Sequence, residues 1–437
     1  MLKRKIFNKI SSYLKSDSDK LLIIDGARQT GKTYSIRELG SKLYSSYIEI
    51  DMKNDKINDK LFAKADTIEK FYRALEIYTN NKIHDYDDTL IFLDEIQIYT
   101  HILHLMKSLL HNAKYKYIAS SFNLKSIIDK NIILRESIDV ISIYPLDFEE
   151  FLWANNYSIS FVNDLRYHYD RQEKLSLFQH KNMMKLFYDY LRVGGMPKVV
   201  DSYVKFKNFD EVVKTQNEIV DLYYELIQEY ENDFEKKMFV GRIYEMIPYF
   251  LNSPRKRIVI RDIENKGPKR ITDYKREIEF FISSKIAINS SAVSEQTLSF
   301  GKRTGKQLLK LYLNDVGLYY SVICNIDNNA YYDNLSSLYI RNLYETVVAQ
   351  ELNAHGRDLF YFNRIDGEIQ FLLDDGNGLM KPIVISYGEQ NNYHRFLKNF
   401  MLLNEDKIGT SILLSDDAEF YTIHGIQYVP IYFIMFI

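Results

Sequence analysis

Short apolar runs and segments of helical period alternate through the first third of the chain. The spacing predicts a helix over 5–14, a buried strand over 21–24, and a helix with Ile36, Leu39 and Leu43 on one face. An alternating segment at 46–51 predicts a second strand. Ile68, Phe71, Tyr72 and Leu75 then share a helical face, and a further apolar run at 89–97 carries two acids. A helix over 101–111, strands over 115–119 and 140–144, and a helical region opening at 148–153 follow, with Pro145 breaking the last strand. Strands interleaved with helices in this way predict an α/β fold around a parallel sheet.

Residues 176–320 read as mainly helical. Val212, Ile219, Val220, Tyr223, Leu226 and Ile227 recur at helical spacing, which is a packing face. Gly194 and Gly195 mark a tight turn, and 278–288 has helical character. From about 330 the pattern is mixed. It predicts a helix over 343–352, strands over 360–362 and 368–373 joined through Asp366-Gly367, and a strand over 382–385. A helix over 396–403 and strands over 411–414 and 428–437 complete it. The final apolar run, 429–437, contains Pro430 and is far shorter than the roughly 20 residues of a spanning helix. It predicts a buried terminal strand and no membrane partner. The segments expected are 1–175, 176–320 and 321–437, in line with about one domain per 150 residues.

Composition changes this picture little. The net charge of −2 gives no whole-molecule field toward nucleic acid or an anionic membrane, so such binding would need a local patch. The single cysteine, Cys324, excludes an internal disulfide framework and a cysteine metal cage; it reads as a buried, inert thiol. The first residues lack an apolar core of the secretory type, so the expected compartment is the cytoplasm.

Candidate chemistry concentrates at 26–33, where GARQTGKT follows the first strand and opens a helix. Gly26, Ala27, Arg28, Gln29, Thr30, Gly31, Lys32 and Thr33 fit G-x-x-x-x-G-K-T at every fixed position. Backbone N–H groups at such a turn, with the positive end of the helix behind them, favour a multiply charged anion. Lys32 would reach the outer phosphates of ATP, and the Thr33 hydroxyl would hold Mg2+. The bland alternative is a strand-to-helix turn that needs glycines and nothing more.

The run at 89–97 delivers Asp94 and Glu95 to the carboxyl edge of the same sheet. Asp94 there would hold Mg2+ beside Thr33, and Glu95 would orient or deprotonate the attacking water. The alternative is a strand ending in solvated acids. At the end of the strand over 115–119, Ser120 can touch the γ-phosphate or the water, or be a loop serine without that role. His101, His104 and His111 could share a helical face but lack a ligand set, and read as solvated or packed.

GARQTGKT, FLDEIQ at 92–97, IYPLDFEEFL at 143–152 and YLRVGGMPKVV at 190–200 together resemble a large prokaryotic family of predicted ATPases of the AAA-type P-loop superfamily. KLYLNDVGL at 310–318, LYETVVAQEL at 343–352 and LFYFNRIDGEIQFLL at 359–373 agree with it. The resemblance implies ATP binding and hydrolysis, and a C-terminal domain of unknown function related to restriction-endonuclease folds. Arg135 is the nearest candidate for an arginine that the family places before the Pro-Leu block. The architecture implied is a P-loop NTPase parallel sheet, a helical region with a winged-helix-like module, and a small α/β restriction-endonuclease-like domain.

Two later stretches bear on partners. Residues 254–276 hold nine Lys and Arg side chains against three acids, around a Gly-Pro turn. They would either neutralise DNA phosphates or form a solvated face. In the family's nuclease-like site, two acids and a lysine are needed; here Gln370, Val384 and Ser386 stand in those places and Glu345 alone remains. Nuclease activity is therefore expected to be absent. The function expected is an Mg2+-dependent ATPase whose nucleotide state moves its C-terminal module. The alternative is a slow-hydrolysing switch or adaptor that binds DNA or a protein partner, or self-associates.

Overall fold

Both faces of the first strands are apolar, and the computed structural model shows why. It describes residues 2–81, 88–112, 114–128, 132–230, 234–263, 271–293, 308–326, 337–364, 367–387 and 392–437. These fall into two compact units: Lys3–Tyr144 with Ser283–Lys285, and Pro145–Ile282 with Ile286–Ile437.

The first unit is built on β1 (Leu21–Asp25), β2 (Ser46–Asp51), β3 (Thr89–Asp94), β4 (Lys116–Ser121) and β5 (Ile138–Ser142). They form one sheet in the order β2-β3-β4-β1-β5, every pairing parallel. Leu21 and Ile23 pack with Ile91, Leu93 and Tyr117 on one face, beneath helices Ile68–Tyr78 and Thr100–His111. Leu22 and Ile24 pack with Leu90, Phe92 and Ile118 on the other, with helices Ile6–Leu14 and Lys32–Leu43. A sheet buried on both sides needs such uninterrupted apolar strands. Because all strands run the same way, their carboxyl ends share one edge.

The second unit carries helices from Phe148–Ala154 onward and a mixed sheet. Its strands are β6 (Ala287–Ala292), β7 (Leu309–Leu313), β8 (Leu359–Arg364), β9 (Gly367–Asp374), β10 (Met380–Ile385), β11 (Ser411–Ser415), β12 (Tyr421–Ile423) and β13 (Ile426–Pro430). The order is β12-β13-β11-β10-β9-β8-β6-β7. β6 and β7 pair antiparallel, and β6 also pairs with β8, so this hairpin belongs to the sheet.

Three expectations change. The helix drawn over 278–288 is Lys275–Ser283, and Ala287 and Ile288 already pair with β7. The strand drawn to 437 ends at Pro430, and Ile431–Phe436 is a buried 3₁₀ helix. A continuous apolar run has no period to separate the two states. Cys324, read as buried, is half-buried. The Gly267-Pro268 turn and Asp366 lie outside the described residues.

The family blocks beyond residue 143 converge in the second unit. Leu146 N–H donates to Gly195 O at 2.6 Å, and Gly195 N–H donates to Asp315 Oδ2 at 2.6 Å. A Cβ at Gly195 would collide with the Leu146 carbonyl, which explains the glycine. Tyr190 hydroxyl donates to Leu146 O at 2.6 Å and accepts from Gln350 Nε2 at 2.9 Å. Glu351 accepts from Phe148 N–H at 2.8 Å. Helix Val316–Ile326 starts on the acceptors of Gln350 and Asp315, bonded to Val316 N–H at 2.8 Å and Leu318 N–H at 3.0 Å.

Burial pushes the Asp315 carboxyl up to about 6, against the pull of the backbone N–H groups it accepts from. A raised folded-state pKa contributes stability that is fully present below the ordinary value near 4 and is lost as pH rises through about 6. Denaturation titrations are expected to show that slope in the wild type, and Asp315→Asn is expected to flatten it. An unchanged slope in the variant would assign the titration elsewhere.

Candidate nucleotide site

β1 ends at Asp25, and the loop 26–31 turns the chain into helix Lys32–Leu43. Gly31 stands at the helix N-cap with φ +92°, a left-handed conformation that glycine adopts without a Cβ penalty. Lys32 is buried, and its Nζ donates to Gly26 O at 2.8 Å and Ala27 O at 2.9 Å. Burial pushes the Lys32 ammonium below its ordinary pKa, although Glu95, Asp25 and Asp94 favour the charge. A buried cation held by neutral carbonyls suits an entering polyanion.

β4 lies between β1 and β3. Leu93 pairs with Ala119 and Ile24 with Ser120, so the acids on β3 reach the loop across the end of β4. Thr33 Oγ1 donates to Asp94 Oδ2 at 2.9 Å. Ser120 Oγ donates to Asp94 Oδ1 in a short bond and accepts from Glu95 N–H at 3.0 Å. Burial pushes the Asp94 carboxyl up; the hydroxyls of Ser120 and Thr33 pull it back. Glu95 is left-handed at φ +59°, and its carboxylate meets Arg28 at 3.3 Å. Thus Arg28, Lys32, Thr33, Asp94, Glu95 and Ser120 come together at one sheet edge. Arg135 is exposed on helix Ile132–Ser137.

Two contributors carried no assigned role in the sequence. Arg4 braces the loop, donating to Thr30 O at 3.0 Å and Tyr144 O at 2.7 Å. Gln97 donates to Glu95 Oε2 at 3.0 Å and accepts from Ser121 Oγ at 3.1 Å and Phe122 N–H at 3.2 Å. Arg4 follows no motif, and its use depends on where the first helix docks. Gln97 had a signal in its place two residues past Glu95.

The donor set fits ATP and Mg2+: amides and a cation at the loop, and a hydroxyl and a carboxylate within 2.9 Å of each other. Residues 18–152 match the family model described as an AAA domain. This is an AAA-type P-loop ATPase domain. Residues 184–330, beyond the AAA domain, match a domain of unknown function, DUF8612. No curated protein matches the chain. Among solved structures, the Walker-type ATPase PABY2304 of Pyrococcus abyssi is similar over 74% of this chain and 96% of that one, at 14% identity and a TM-score of 0.42. The Aeropyrum pernix ORC1 protein in complex with DNA is similar over 74% and 91%, at 11% identity and a TM-score of 0.33. C. elegans PCH-2 is similar over 35% and 46%, at 17% identity and a TM-score of 0.25. No helix among the described residues is long and apolar enough to cross a membrane.

The second unit holds a separate charged cluster. Glu345 is buried on helix Ser337–Ala354 and pairs with Lys256, closely, and with Lys310 at 3.1 Å. Glu368 pairs with Lys256 at 3.2 Å and closely with Lys310. Tyr312 hydroxyl donates to Glu345 at 2.7 Å. Burial would raise the Glu345 carboxyl, but the two ammonium groups hold it well below the usual range. Lys256 belongs to the basic stretch considered for DNA, and is withdrawn from any such surface. Arg255, Arg261, Lys275 and Arg276 of that stretch are exposed, while Lys266, Lys269 and Arg270 lie outside the described residues. Gln370 is buried and accepts from Ile385 N–H at 3.3 Å.

Proposed function

We propose that the protein is an Mg2+-dependent ATPase of the cytoplasm whose nucleotide state drives movement of its C-terminal module. The observation that carries this reading is the 2.9 Å bond from Thr33 to Asp94, which joins the phosphate loop to the acidic strand end. In it, the amides of Ala27 to Thr33 cradle phosphates and Lys32 neutralises the outer ones. Thr33 and Asp94 hold Mg2+, which when bound supplies charge for the transferred phosphoryl group. Ser120 fixes the Asp94 carboxylate, and Glu95 accepts the proton of the attacking water.

Glu95→Gln is expected to lower turnover by about 10²- to 10⁴-fold while ATP stays bound, because an amide cannot take that proton. Single-turnover assays with retained-nucleotide analysis check it; near-normal turnover would remove Glu95 from the role. The whole reading is tested by ATP turnover with DNA, with RNA and alone, run beside mass in solution. A wild-type protein that binds no nucleotide would overturn it.

A second reading, a slow-hydrolysing switch or adaptor, is favoured by the contacts that hold Glu95 on Arg28 and Gln97. Low turnover unaffected by any partner would select it. Its partner could be DNA at Arg255, Arg261, Lys275 and Arg276, which predicts salt-dependent binding. The C-terminal sheet, in this proposal, is restriction-endonuclease-like without nuclease chemistry. Lys256 and Lys310 already neutralise Glu345, the one carboxylate left in that site.

A further inference from the structure

Glu95 is restrained on three sides. Its backbone N–H is fixed by Ser120 Oγ at 3.0 Å. Its Oε2 atom receives Arg28 Nη2 at 3.3 Å and Gln97 Nε2 at 3.0 Å. Gln97 is itself anchored to the end of β4 through Ser121 Oγ and Phe122 N–H. The Arg28 guanidinium also lies 5.6 Å from the Phe122 ring centroid. The side chains of Arg28 and Glu95 are only 18% and 15% exposed, so this is not a solvated surface pair. A carboxylate oxygen that accepts two such donors is aimed by them.

Arg28 belongs to the phosphate loop itself. A triphosphate entering that loop offers its guanidinium an acceptor of higher charge that it can engage bidentately. We infer that Arg28 restrains Glu95 until the loop is filled, and then transfers to phosphate. Gln97 remains as the positioning residue that keeps the released carboxylate at the end of β4. The device rests on the ATP-site reading above and adds a regulation to it: the base becomes available as the substrate binds. It also implies that part of the affinity for ATP is consumed in separating Arg28 from Glu95.

The test is a double-mutant cycle on affinity for a non-hydrolysable ATP analogue with Mg2+, measured by calorimetry on the full chain. Glu95→Gln is expected to tighten binding about tenfold in the wild-type background, since the charge opposing transfer is gone. Arg28→Ala is expected to weaken it, and in that background Glu95→Gln is expected to change nothing. Arg28→Gln repeats the cycle with a larger side chain should the alanine variant fold poorly. Independent, multiplicative effects of the two substitutions would overturn the restraint while leaving the ATP site standing. Absence of binding by the wild type would overturn the site and the restraint with it.

Discussion

Lys32→Ala is expected to weaken ATP binding about 100-fold, the loss of roughly one strong charge-assisted contact to phosphate. The fold is expected to survive. The ammonium is buried, yet its partners are two carbonyls of the loop rather than core side chains. Leaving those carbonyls without that donor costs about 1–3 kcal/mol at most. Calorimetric titration with ATP, beside thermal unfolding of the apo variant, separates the two effects. Undiminished ATP binding by a folded variant would end the assignment of the loop.

A larger effect on stability is expected in the second unit. Glu345→Ala leaves Lys256 and Lys310 sharing Glu368 alone, so one buried positive charge loses its counter-charge. Breaking a buried pair in this way costs about 3–5 kcal/mol. Glu345→Gln combined with Lys310→Met keeps the charges balanced and is expected to recover part of that loss. Denaturant unfolding of the three proteins measures it. Equal midpoints for the wild type and Glu345→Ala would show that the cluster does not hold the sheet together.

How far these features could be read from the chain depends on how local they are. The phosphate loop and the Asp94-Glu95 pair were legible because each occupies one strand end, where period and residue type coincide. That they meet follows from parallel pairing, which interleaved strands and helices already implied. The Arg28 contact to Glu95 joins positions far apart in sequence and left no periodic trace. The same is true of Lys256: within a run of basic residues it looks like a surface charge. Only the fold turns it inward, at φ +48°, to two acids supplied by a distant helix and strand. The apolar end of the chain misled for the opposite reason, since unbroken hydrophobicity suits a strand and a buried 3₁₀ turn alike.

The sheet order has one further consequence. β4 supplies Ser120 to the Asp94 carboxylate, and it also separates the strand feeding the phosphate loop from the strand bearing the acids. Alignment of the two halves of the proposed nucleotide site is therefore inherited from this spacer. Small shape changes along it, at Ile118 or Ala119, would surface as altered chemistry several residues away. Selection for faster or slower turnover could act there without touching a single group that meets the substrate.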